Sequence, residues 1–157
     1  MTAAAAIKSL FGNIIFLSTI SSLCFAQILK MIVFVFSHRH KKIWEAIETA
    51  IWRTGGMPSS HSAIVSSLTT SAGFSEGVSS NLFAFSLIFS LVVIRDALGV
   101  RRATGVHAKA LNNLGKQVSE KTGIEFHAVK EIHGHTPLEV LVGALLGFFI
   151  AAGYALL

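Results

Sequence analysis

The charged residues of this chain leave three long gaps, and those gaps constrain the fold more than any other feature. Between Ser9 and His38 the only charge is Lys30, between Thr54 and Ile94 it is Glu76, and none follows Glu139. Each gap holds at least one stretch of about 20 residues, the length a helix needs to cross a bilayer. Of the 157 residues, 52% are hydrophobic and 13% charged, about half the charge usual in a soluble domain. A soluble all-helical domain of this size needs wide polar faces on its helices, which these gaps do not provide. The chain reads as an integral membrane protein.

The net charge of +5 looks at first like a signal for nucleic acid. Its location argues otherwise. Arg39, Lys41, Lys42 and Arg53 lie in one segment between apolar runs; Arg101, Arg102, Lys109, Lys116, Lys121 and Lys130 lie in another. That is the positive-inside pattern, with attraction to anionic lipid heads. The aromatics are mostly Phe inside the apolar runs, not interleaved with basic residues as on a nucleic-acid platform. No nucleic-acid partner is expected. The single Cys24 excludes an intramolecular disulfide and reads as a packed thiol. Cys24-Phe25-Ala26 resembles a small-x-small cleavage site, but apolar character resumes from Met31 to Phe36, which favours an uncleaved span.

Four apolar segments stand out, at roughly 10–36, 58–74, 78–99 and 137–157. The first is long enough to span with tilt or to break in two. The second carries Ser59, Ser60, Ser62, Ser66, Ser67, Thr69, Thr70 and Ser71, and such small hydroxyl residues suit a helix inside the bundle. Residues 73–81 read as a turn that makes the second and third segments a hairpin. In 100–134, Ala103, Val106, Ala110, Leu111 and Leu114 recur at helical spacing against Arg102, Lys109 and Lys116. This predicts an amphipathic helix ending near Thr122-Gly123, lying on the membrane surface or covering the bundle. The expected fold is therefore an all-α membrane bundle of about four spans plus an interfacial helix, a single domain over 1–157.

Four single crossings put both basic segments, 37–57 and 100–136, on one side, which the positive-inside rule makes cytoplasmic. Gln27 and Lys30, His61, Arg95 and Asp96, and His135 and Glu139 then gather at one depth. Ionisable groups in a membrane are costly and usually serve a site or pair with one another.

His135 and Glu139 stand i, i+4, so on a helix they share a face. A carboxylate on one imidazole nitrogen fixes the tautomer and leaves the other nitrogen free to attack or bind. Gly143 and Gly147 extend that face in small-xxx-small spacing, which invites close approach by another helix. His61 follows Pro58-Ser59-Ser60, where Ser59 or Ser60 would cap a helix and leave backbone N–H groups for an anion. Asp96 has Arg95, Arg101, Arg102 and Lys30 as candidate partners. Arg101 and Arg102 suit phosphate through their planar forks or anchor to lipid heads. Lys30 interrupts an otherwise uncharged span with Gln27 one turn before it, and either binds an anion or snorkels to the headgroups.

Ala26-Gln27 with Lys30, Gly55 through Ala63, Asp96 through Arg102, Leu111-Asn112 and Gly134 through Val140 run in order along nearly the whole chain. In these residues the chain resembles the divergent branch of the type 2 phosphatidic acid phosphatase and vanadium haloperoxidase superfamily. In the wider superfamily a Pro-Ser-Gly-His motif supplies the acid histidine; Pro58-Ser59-Ser60-His61 is similar, with Ser60 for glycine. A His-x-x-x-Asp supplies nucleophile and orienting carboxylate; His135 and Glu139 are similar, with Glu for Asp. Two elements depart from that pattern. The Ser-Arg before the nucleophile would fall at Ala128 and Val129, and the Lys-x6-Arg-Pro element is absent around Ala46 and Arg53.

The resemblance implies a phosphohydrolase or phosphotransferase acting on a phosphorylated lipid or small phosphate ester near the cytoplasmic leaflet. His135 attacks phosphorus, Glu139 orients it and His61 protonates the leaving oxygen. Lys30, Gln27, Ser59, Ser60, Arg101, Arg102 and Asp96 form or support the anion site. No cofactor or metal is required where cations supply the electrostatics. The rival expectation is a non-catalytic relative that binds or transports a phosphorylated lipid or other anion. A metal site built from His61, His135, Glu139 and Asp96 lacks a close His-x-x-x-His pair. Four spans make a thin bundle around a charged site, so a homo-oligomer is a further expectation.

Overall fold

A computed structural model of the protein describes residues 2–37, 56–131 and 134–157, and its regular structure there is entirely helical. The basic residues Arg39, Lys41, Lys42 and Arg53, together with Gly55, lie outside the described residues. Nearly all of the long first apolar segment forms one continuous helix, and a shorter helix precedes it. α1 (Ala3–Phe11) stops at Gly12, and α2 (Ile14–Ser37) starts where the Asn13 Oδ1 accepts from the Phe16 N–H at 3.1 Å. That local bond competes with helical continuation, which explains the break.

The hairpin forms as α3 (Ser60–Glu76) and α4 (Asn81–Leu98). Its turn is tighter than the 73–81 read from composition, because helix persists to Glu76 and only Gly77, with φ 84°, reverses the chain. Ser80 then caps α4 by accepting from the Phe83 N–H at 3.1 Å. After Gly99 the chain continues as α5 (Val100–Thr122), and the bundle closes with α6 (Pro137–Leu156).

Three helical stretches are long and apolar enough to cross a membrane: Ile14–Phe36, Asn81–Thr122 (through its α4 part) and Pro137–Leu156. α3 is less apolar, yet it packs against α2, α4 and α6 and so occupies the centre of the bundle. Its 17 residues rise about 25 Å, close to the hydrocarbon thickness.

The interior inverts the soluble pattern. The largest fully buried side chains are serines (Ser18, Ser22, Ser59, Ser62, Ser67, Ser71 and Ser86), while Phe85, Ile88 and Phe149 are exposed on the outside. In lipid, apolar side chains gain nothing by leaving the surface, and small residues let helices approach closely and bond across. The bonds are present. Ser18 and Ser71 hydroxyls meet at 2.6 Å between α2 and α3, and Thr69 and Ser90 meet at 2.7 Å between α3 and α4. Ser21 and Tyr154 meet at 2.8 Å between α2 and α6, and Ser66 donates to the Ala144 carbonyl at 2.7 Å.

Of the two placements expected for it, α5 does not cover the bundle. It has no buried residue, packs against α4 alone among the described helices, and leaves Val100, Leu111, Leu114 and Val118 exposed. Gly123, with φ 71°, ends it in a left-handed cap. The chain then returns along α5 without regular structure. Phe126 covers Gly115, and the Asn112 side chain accepts from the Val129 N–H and donates to its carbonyl, both at 2.9 Å.

Candidate functional site

Two helix starts lie side by side at one end of the bundle. The Ser59 N–H donates to the Glu139 carbonyl at 3.0 Å, which ties the first turn of α3 to that of α6. Further along, Gly143 lies on the Ser59 backbone and Gly147 on the Ala63 backbone. A constant offset between the contacting residues means the two helices run parallel, so both positive dipole ends face the same region. The two glycines permit this, since a Cβ at either would overlap a carbonyl oxygen of α3.

Each start is capped from within. Ser59 accepts at Oγ from the Ser62 N–H and the Ser62 hydroxyl, at 3.4 and 3.1 Å. At α6, Pro137 takes the first position and Thr136 forms a reciprocal capping box with Glu139. Glu139 therefore has two tasks. Its Oε2 accepts from the Thr136 N–H at 3.2 Å and from His135 Nδ1 at 2.9 Å. Opposite an ionised carboxylate, which only accepts, Nδ1 is the donor of this bond. His135 is 6% exposed, which locks this geometry.

Other elements bring charge to the pair. Lys30, on α2, is 5% exposed and interacts electrostatically with Glu139. Its aliphatic stem lies against Gly56, whose φ of 90° favours glycine. Arg101 arrives through a backbone contact: Gly134, just before His135, packs on the main chain of Arg101 and Arg102 so closely that a Cβ would collide. Arg101 Nε donates to Asp96 Oδ2 at 2.6 Å. Of the partners open to Asp96 in the sequence, the structure selects Arg101. His61, exposed at the start of α3, lies in the electrostatic field of Arg101, His135, Lys30 and Asp96.

The structure thus assembles His135, Glu139, His61, Lys30, Ser59, Ser60, Arg101 and Asp96 from five parts of the chain. Arg102 is not drawn in to the same degree: its backbone supports Gly134, but its side chain is exposed and makes no ion pair among the described residues. Gln27 lies on α2 with its Oε1 buried and without a protein hydrogen-bond partner. Sequence reasoning missed the capping box, although Thr136-x-x-Glu139 carries its signature. It also missed the supporting contact of Gly134, for which one sequence offers no signal.

Chemically, the region offers one imidazole with a free nitrogen, a second titratable imidazole, two nearby cations and two helix N-termini. Comparison with known proteins places the chain in a family. Residues 11–150 match the family described as Divergent PAP2 family. The chain is similar to "Uncharacterized membrane protein YuiD" of Bacillus subtilis (strain 168), 37% identical over 153 residues that cover 90% of this chain and 93% of that protein. No solved structure matches it significantly.

Proposed function

Because this chain belongs to the divergent PAP2 family, we propose that it is a membrane-embedded phosphatase that acts through His135 on a phosphorylated lipid or small phosphate ester. The observation that carries this reading is the buried His135–Glu139 pair at two adjoining helix starts, with Lys30 beside it. His135 Nε2 attacks phosphorus, the bond to the leaving oxygen breaks, and His61 donates its proton to that oxygen. Glu139 stabilises the imidazolium that forms. Water then attacks the phosphohistidine and releases phosphate, with His61 taking back the water proton. Lys30, Arg101 and the N–H groups of α3 hold the charged oxygens, the main requirement of phosphoryl transfer. Asp96 takes one of the five guanidinium donors of Arg101 and orients the others.

The anion site is tested with vanadate, which mimics a five-coordinate phosphorus. Vanadate is expected to raise the melting temperature of the purified protein, as any ligand specific to the native state does. Lys30→Ala is expected to weaken that shift and Lys121→Ala, exposed on α5, to leave it intact. Equal effects from the two would show diffuse charge in place of a pocket.

A second reading has one observation in its favour. Val129 stands where the wider superfamily carries its phosphate-binding Ser-Arg, and its backbone is held by Asn112. A protein that binds vanadate yet turns over no phosphate ester is a binding or transport relative.

The site faces the cytoplasm on the positive-inside argument, given the basic residues of α5. On a Cys24→Ser background, Ser79→Cys is expected to label only from the outside and Lys121→Cys only from the inside. Labelling of both from one side would overturn this orientation.

A further inference from the structure

The interface between α2 and α3 carries polar atoms that the proposed chemistry does not use. On α2, Ser18, Ser22, Ala26 and Lys30 form a buried row four residues apart; on α3, Ser71, Ser67 and Ala63 form its counterpart. The helices are antiparallel, because Ser18 bonds Ser71 while Lys30 lies beside Gly56. One turn inward from the Ser18–Ser71 pair, Ser22 and Ser67 therefore come to the same level.

Both are 0% exposed, and neither hydroxyl has a protein hydrogen-bond partner among the described residues. Elsewhere the bundle satisfies its buried hydroxyls: Ser90 bonds the Val65 and Ser86 carbonyls, and Ser86 bonds the Phe83 carbonyl. An unpaired hydroxyl in a membrane interior is costly, because no bulk water is at hand. Two at one level, next to the small side chains of Ala26 and Ala63, supply two of the polar partners that a buried water requires.

We infer that α2 and α3 enclose a binding site for ordered water, anchored by the hydroxyls of Ser22 and Ser67. Each hydroxyl bonds the water, and the water replaces the direct contact that Ser18 and Ser71 make one turn outward. The site lets a serine-rich helix sit at the centre of a membrane bundle without stranded polar groups. This inference is independent of any phosphatase activity.

The sign of a stability change tests it. Removing a stranded hydroxyl stabilises a protein, whereas removing one anchor of a bridging water destabilises it. Ser22→Ala and Ser67→Ala are each expected to lower the melting temperature in detergent by about 2–4 °C. The double variant is expected to fall no lower than the weaker single, because the water is already lost. Single variants with unchanged or raised melting temperatures would overturn the site. In parallel, water-edited solid-state NMR of the wild-type chain in bilayers should transfer water magnetisation to the Ser22 and Ser67 Cβ signals and not to Ser90. Thermal coupling without that transfer would show the two serines bonding directly and would equally overturn it.

Discussion

His135→Ala is expected to abolish phosphate-ester hydrolysis by the purified protein, a loss on the order of ten-thousandfold or more, because among the described residues no other buried imidazole is hydrogen-bonded to a carboxylate. The fold should survive. Glu139 keeps its bonds to Thr136, and the Ser59–Glu139 backbone bond does not involve the histidine side chain. Glu139→Gln separates the two tasks of that residue, since Gln also completes a capping box. Its melting temperature should therefore stay near that of the wild type while turnover falls by about a hundredfold to ten-thousandfold, the amide being unable to stabilise the imidazolium. His61→Ala should slow poor leaving groups by about a hundredfold or more and spare an activated aryl phosphate, whose oxygen leaves without a proton. The decisive assay runs both substrate types on the three variants in lipid. Activity that survives His135→Ala would refute the nucleophile.

Gly147→Val is expected to prevent assembly of the native bundle. A Cβ there overlaps the Ala63 carbonyl oxygen, a backbone atom that no rotamer change can move aside. Parting α3 from α6 also breaks the Ser66–Ala144 bond and moves Ser59 away from Glu139, so stability and the site are lost together. The cost should exceed about 3 kcal/mol, the upper part of the range for overpacking. Gly153→Val on the same helix is the control, because nothing lies within 4 Å of its Cβ. It should change the melting temperature little. The comparison is read from the yield of monodisperse protein and its thermal midpoint, and similar behaviour of both variants would contradict the close α3–α6 contact.

These contrasts also separate what was legible in the sequence from what was not. Gly143 and Gly147 announce a close helix approach through their spacing, but nothing local names α3 as the partner or says that the two helices run parallel. His135 and Glu139 announce a shared face, since i, i+4 spacing is a property of one helix. The choice of Arg101 for Asp96 over Arg95, Arg102 and Lys30 was not legible, because four cations met the same sequence criterion. The bend at Gly99 and the seat of Gly134 on the α5 backbone decided it. That the Ser22 and Ser67 hydroxyls lack a protein partner among the described residues was equally silent, since a serine in a helix reads the same whether or not it finds one.

The sequence by itself determined that this chain is helical, that it lives in a membrane, roughly where α2 to α6 begin and end though not the separate α1, and which end of the bundle holds the ionisable groups. Those properties follow from composition over windows of up to about 20 residues, from capping residues and from charge asymmetry, all of which act locally or along the membrane normal. The tertiary structure alone decided that the starts of α3 and α6 adjoin, and that Lys30, Arg101 and His61 share the surroundings of His135. Those are relations between residues many tens of positions apart. They depend on which small-residue faces fit together and which buried polar groups find partners, and no window of sequence contains that balance.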